Sequence, residues 1–274
     1  MVQVVAVENL FFAQGNNMIV ASWNVNSITV RLESVLKWLN IAQPDILCLQ
    51  ETKSVDNKFP ALAFQQVGYH SEFIGQPSYN GVAILSKLPL TDVEKHFEPE
   101  EVPSQKRFIK ADYQGSTIIN TYIPNGQALG SEKFSYKIDF LNTFERYLSA
   151  KYKPSQPIIW CGDFNIAPEG IDTFDIAQTD GQIMCSEQER ALLERIKSWG
   201  FTDTFRQHNK EPGQFSWWDY RVGAFRRNLG YRIDHIWATE TLSKTCNQSW
   251  IDIEPRKWER PSDHAPVLAT FRTI

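Results

Sequence analysis

Apolar residues recur along the chain in short runs of strand length that alternate with stretches of helical spacing. Met18 to Trp23, Asp45 to Leu49, Val82 to Leu85, Thr117 to Ile123, Pro157 to Cys161, Ile233 to Ala238 and Pro266 to Phe271 are rich in Val, Ile, Leu and aromatics, and read as strands. Three helices follow from i, i+3, i+4, i+7 spacing. Leu32, Val35, Leu36 and Leu39 face the core in the first, and Phe134, Ile138, Leu141, Phe144 and Leu148 in the second, which follows Ser131. In the third, Ser186 and Glu189 make a capping box, Leu192, Leu193, Ile196 and Trp199 form the apolar face, and Gly200 is the stop. All three are expected to be scaffold. With no long linker or low-complexity segment between them, these elements predict one α/β domain.

Two strand ends echo one another. Ala21-Ser22-Trp23-Asn24-Val25-Asn26 and Trp160-Cys161-Gly162-Asp163-Phe164-Asn165 both close an apolar run with polar residues that alternate and share one face. Facing each other across packed sheets, they would bring those polar groups together.

At 274 residues, 42% hydrophobic and 22% charged, the chain has material for a large core. Cys48, Cys161, Cys185 and Cys246 lie far apart, without zinc-site spacing or disulfide density, so a reduced, cytoplasmic protein is expected. No apolar run approaches the roughly 20 residues that span a bilayer. Residues 1–17 lack a positive n-region, and Glu8 to Gly15 resembles a protease-cleavage tag; the domain is expected to run from Met18 to the end, residues 18–274. The net charge of −4 hides an asymmetry: from Gly200 onward there are 11 Lys and Arg against 9 Asp and Glu, and before it 17 against 23. That favours a basic face on an acidic body.

Polar residues gather at strand ends: Asn24 and Asn26, Gln50 and Glu51, Tyr122 and Asn125, Asp163 and Asn165, Asp263 and His264. Any one of them fits a turn or cap. Three demand more. Glu51 ends an apolar strand, where its desolvation needs a cation or several donors. Asp234 is expected inside a strand, where Asp is depleted, and so needs a partner. His264, paired with a buried Asp, would hold one tautomer or stay protonated near neutral pH.

Trp23-Asn24-Val25-Asn26, Leu49-Gln50-Glu51-Thr52-Lys53, Tyr79-Asn80-Gly81-Val82, Tyr122-Ile123-Pro124-Asn125-Gly126, Gly162-Asp163-Phe164-Asn165, Arg232-Ile233-Asp234-His235 and Pro261-Ser262-Asp263-His264 occur in one order. In that order the chain resembles exonuclease III-type AP endonucleases, from Met18 essentially to the C-terminus. The resemblance implies a DNase I-like four-layer α/β sandwich, two packed β-sheets flanked by helices, with the site at one edge. It implies Glu51 as the principal metal carboxylate with Asn24 beside it and Asp263 in the metal shell. Asp163 and Asn165 would orient and activate the attacking water, with Asp163 as general base. His264, held by Asp234, would contact the scissile phosphate, and Tyr122 and Asn125 would support it. Hard oxygen donors of this kind suit Mg²⁺ or Mn²⁺.

Gln214 to Tyr231 combines aromatics with Arg221, Arg226 and Arg227, which suits stacking on an unpaired sugar or base and gripping phosphates. About half of its rings are expected in the core. In the resemblance, Trp217 and Tyr231 wall a pocket for a flipped abasic nucleotide; phosphate contacts are expected from Lys53, Asn80, Lys106, Arg107, Lys133 and Arg221. The expected partner is duplex DNA with abasic sites or recessed 3′ ends, the expected state a monomer away from membranes. Two departures leave the balance between incision and 3′-end trimming open: Gly170 to Cys185 is short and not basic, and Lys106-Arg107-Phe108-Ile109 lacks a nearby acid. Competing readings are an RNA, phospholipid or inositol-phosphate phosphodiesterase on the same scaffold, and a non-catalytic DNA-binding module.

Overall fold

The computed structural model describes residues 17–96 and 105–272, so the tag-like stretch read at residues 1–17 lies outside it except for Asn17. Among the described residues the strands are β1 (Asn17–Asn24), β2 (Ile46–Gln50), β3 (His70–Ile74), β4 (Val82–Ser86), β5 (Thr91–Glu94), β6 (Phe108–Tyr113), β7 (Ser116–Tyr122), β8 (Ile158–Asp163), β9 (Phe201–Asp203), β10 (Asp234–Thr239), β11 (Cys246–Ile251) and β12 (Val267–Arg272). They form two six-stranded sheets, ordered β11-β12-β1-β2-β4-β3 and β5-β6-β7-β8-β10-β9.

The sheets share one plan. Each has a parallel central pair, β1 with β2 and β7 with β8, and each pair continues antiparallel into β12 or β10. Strands β1 and β8 therefore hold equivalent places, and the echo between their sequences has a structural counterpart.

Alternation along the strands sorts side chains into layers. Val20, Cys48, Ile84, Ile118, Cys161 and Ile236 point between the sheets into one shared core. On the opposite faces, Trp23, Leu47 and Leu49 pack under helix Ile28–Ala42, while Ile158, Trp160 and Trp237 pack under helices Glu132–Lys151 and Glu187–Ser198. A fully buried Leu141 or Ile196 on those helices contributes about 1.5–3 kcal/mol, which is why the apolar stripes settle the helix faces. The result is the four-layer α/β sandwich.

The sequence pattern missed β3, β5, β9 and β11 because edge strands bury one side only and carry polar residues. It missed β6 because Lys110 interrupts an apolar run; Lys110 is buried and paired with Asp92 and Asp112. Asp234 is not inside its strand but opens it, opposite Asp163 in the register. The loop after β8 also depends on Gly162, whose φ is 144° and where a Cβ would sit 1.9 Å from the Thr121 carbonyl oxygen.

Candidate active site

The polar strand ends converge at one edge of the sandwich. Asn24 ends β1, Glu51 follows β2, Tyr122 ends β7, Asp163 ends β8, Asp234 opens β10, and His264 lies three residues before β12. Backbone bonds zip the neighbouring loops together: Val25, Ser27 and Ile28 amides donate to the Gln50, Glu51 and Thr52 carbonyls. Asn26, Ser27, Glu51 and Lys53 all have positive φ there, a strain that surrounding structure must hold in place.

Asn24 is fully buried, and its amide nitrogen donates to Glu51 Oε1 and to Asp163 Oδ2, each at 2.9 Å. Its amide oxygen accepts from the Asn26 backbone N–H, and Asp163 Oδ1 accepts in the same way from Asn165, so both strand ends turn by the same local bond. The other Glu51 oxygen meets Lys53 Nζ at 2.8 Å. Burial raises the Glu51 pKa, but Lys53 and Asn24 more than offset it and leave the carboxylate favoured.

His264 is held from behind. Its Nδ1 lies 2.9 Å from Asp234 Oδ2, and its Nε2 faces Asp163 Oδ2 at 3.8 Å. Burial opposes a charged ring, yet Asp234 and Asp163 push its pKa up to about 10, so it is an imidazolium at neutral pH. Burial, together with nearby Asp234, pushes Asp163 up to about 7 in spite of the His264 charge. Burial and the Glu51 and Asp163 charges keep the Tyr122 phenol protonated, available as a donor.

Glu51, Asp163 and His264 offer one ligand atom each within 4.8 Å of one another. Two carboxylates, with an amide between them and a lysine as present counter-charge, fit a hard divalent cation. Asp263, expected in the metal shell, accepts from Asn26 and from Trp217 Nε1 at 2.9 and 3.0 Å. It ties the Trp217 ring to the metal-side loop.

Asn165 donates to the Ile123 carbonyl and accepts from Asn125, which links the loops after β7 and β8. Trp217 and Tyr231 face each other at 5.7 Å, half-buried beside Met184 and Ile183, with His264 6.4 Å from Trp217. Phe215 and Trp218 are core, and Tyr220 is exposed, so the aromatic segment divides much as its composition implied. Arg107 stacks on Tyr122 at 4.5 Å, and beside it Asn80, Gln105, Tyr136 and Lys133 line a cavity of about 530 Å³. Asn80 is buried and donates to Gln76 and Gln105, while Arg221 projects into solvent beside Asp219. A concavity of about 640 Å³ near Pro168 and Lys197 contains none of these groups.

Two structural roles were not legible beforehand. Ser216, fully buried, donates to Asp234 Oδ2 at 2.7 Å and accepts from the Ile233 and Asp234 amides, fixing the carboxylate that holds His264. Its only sequence signal was a small polar residue among aromatics. Arg232, which directly follows the aromatic segment Gln214 to Tyr231, is buried and paired with Asp172 and Asp203. It also donates to His235 Nδ1, so the other ring nitrogen donates to the Ile166 carbonyl. Arg232 is a scaffold ion.

The signature of the endonuclease/exonuclease/phosphatase family matches residues 21–264. Exodeoxyribonuclease III of Haemophilus influenzae is 34% identical over 92% of this chain and 98% of its own length. A Neisseria 3′ phosphatase solved with a product DNA hairpin superposes with a TM-score of 0.89 at 39% identity, covering 93% of this chain and 99% of that one. An AP endonuclease from Archaeoglobus fulgidus gives 0.87, also at 39% identity, covering 93% and 100%.

Proposed function

The chain belongs to the endonuclease/exonuclease/phosphatase family, and on that premise we propose that it is a Mg²⁺-dependent DNA repair nuclease. It hydrolyses phosphodiesters 5′ to abasic sites, trims recessed 3′ ends of duplex DNA, or does both. The observation that carries this is the convergence of Glu51, Asn24, Asp163 and His264 on one small volume at the sheet edge.

Each residue then has a task that follows from its surroundings. Asp163 takes the proton of the attacking water, for which a pKa near neutrality is well placed. Asn165, through its backbone bond to Asp163, holds that carboxylate in orientation. His264 presents a charged Nε2–H to a phosphoryl oxygen, with Asp234 and Ser216 keeping the ring fixed. The Tyr122 hydroxyl donates to the same phosphate, and Arg107 beside it adds positive charge. Glu51 would hold the metal, with the Asn24 amide spacing it from Asp163, and the metal would supply charge compensation for the phosphoryl and leaving oxygens.

DNA as substrate is supported by the Neisseria relative's bound hairpin and by the Trp217–Tyr231 pair next to His264. An abasic nucleotide leaves its stack at lower cost than a paired one and fits between such rings. Lys53, Asn80, Lys106, Arg107, Lys133, Arg221 and Asn125 are the proposed contacts along the strand. The domain is taken as residues 18–274, acting as a monomer on cytoplasmic DNA.

The test is a labelled duplex with a single abasic site and a recessed-3′-end duplex in parallel, each with Mg²⁺ or with chelator. Cleavage that chelator abolishes is expected. No cleavage of either duplex with metal present overturns the proposal, and preferential hydrolysis of RNA or inositol phosphates moves the substrate elsewhere in the family.

A further inference from the structure

Beneath the loops that carry Asn125 and Asn165 lies a lysine that the proposed chemistry does not use. Lys137, on helix Glu132–Lys151, and Glu189, on helix Glu187–Ser198, form an ion pair in which both side chains are 0% exposed. Burying two charges is expensive, and a well-packed apolar pair of the same volume is often as stable. A pair retained in such a place calls for another role.

Its bonds point to one. Glu189 already completes the capping box with Ser186 and accepts from the Met184 amide, so helix capping does not need the lysine. An ammonium has three donors. Lys137 directs them to Glu189, to the Asn165 carbonyl at 2.7 Å and to the Asn125 carbonyl at 3.2 Å. Asn165 is in the left-handed region with φ 51°, and its N–H bonds Asp163 Oδ1 while its side chain accepts from Asn125. The Lys137 stem also packs where a Cβ at Gly126 would meet Lys137 Cδ at 3.3 Å, against the turn that follows Asn125.

We propose that Lys137, anchored by Glu189, is a positioning residue that clamps the Asn125 and Asn165 loops together and so sets the orientation of the Asp163 carboxylate. It acts through backbone carbonyls and touches no substrate. The inference rests on the nuclease reading above, and one of its two tests is independent of activity.

In amide-resolved NMR, Lys137→Met is expected to shift or broaden the side-chain NH₂ signals of Asn125 and Asn165, and Leu148→Ala, at the far end of the same helix, to leave them in place. In steady-state assays on the recessed-3′-end duplex, Lys137→Met lowers kcat by about 10- to 100-fold, the range for residues that orient a catalytic group through a second one. KM changes less than about 3-fold, Lys137→Arg recovers most of the loss, and Leu148→Ala, with a comparable drop in Tm, keeps its kcat. Unmoved Asn signals in folded Lys137→Met or Glu189→Gln overturn the proposal, as does a kcat loss that Leu148→Ala reproduces. A wild-type enzyme that cleaves neither duplex indicts the nuclease reading instead, and the NMR comparison still decides the clamp.

Discussion

Asn24 and Asp163 sit at equivalent ends of the central strands of two different sheets, and a 2.9 Å hydrogen bond joins them across the sandwich. The same amide group bonds Glu51, so one buried side chain spaces both carboxylates. Replacing Asn24 with Ala leaves the buried Asp163 and the half-buried Glu51 without that donor. Asn24→Ala is expected to raise the Mg²⁺ concentration for half-maximal cleavage and to lower kcat/KM by about 10- to 100-fold. A metal titration of activity checks it, and an unchanged midpoint would remove Asn24 from the metal site.

Asp163 and His264 are assigned as base and cationic phosphate ligand. Asp163→Asn and His264→Asn should each reduce turnover by roughly 10²-fold or more, as for loss of a general base or of a transition-state charge stabiliser. Single-turnover rates on the abasic duplex provide the measurement. Near-normal rates in either variant would sink that residue's assignment.

Ser216 gives the Asp234 carboxylate one of its bonds, and Asp234 sustains the charge on His264. Ser216→Ala is expected to cost about 1–3 kcal/mol in stability from unpaired buried groups. It should also lower the His264 pKa, because Asp234 is then free to turn away. Ring titration by NMR reads this directly; a His264 still protonated at the wild-type pH range would show that Asp234 needs no such support.

His235 supplies a stability prediction with a definite sign. Burial and then the Arg232 charge hold its pKa down at about 4, below its ordinary value of 6.5. Between those values the unfolded chain binds the extra proton, so stability rises with pH through the window and is lost as pH falls from 6.5 towards 4. The full effect is roughly 3 kcal/mol. Asp172 and Asp203, whose pKa values are lowered by Arg232, lose their contribution only at more acid pH. Asp163, pushed up to about 7, takes up its proton in the folded chain over the same range and opposes this slope, so the measurement is a difference: in urea unfolding from pH 7 to 4 the wild type should lose stability relative to His235→Gln, and a pH-independent difference would refute the assignment.

Glu51, Asp234 and His264 stood out in the sequence because charged side chains at apolar strands violate the local pattern, Asp163 was one of the polar strand ends, and the structure brings Glu51, Asp163 and His264 within 4.8 Å. The paired strand ends were legible for the same reason, since alternation alone puts Asn24 and Asp163 on the faces of β1 and β8 that meet between the sheets. Ser216, Lys137 and Arg232 were not, because nothing in a local window distinguishes a buried serine, lysine or arginine from an exposed one.

By itself the sequence determined the alternating elements, the apolar faces of the three main helices and the residue types available for metal-assisted hydrolysis, all of which depend on periodicity and chemistry over a few positions. Tertiary structure decided which of those residues become partners. It joined Asp263 to Asn26 and Trp217, drew Arg232 into the scaffold and set Lys137 beneath Asn125 and Asn165. The physical reason is that a charge in a low-dielectric interior is governed by whatever groups lie within a few ångströms, and those neighbours come from strands and helices far apart along the chain.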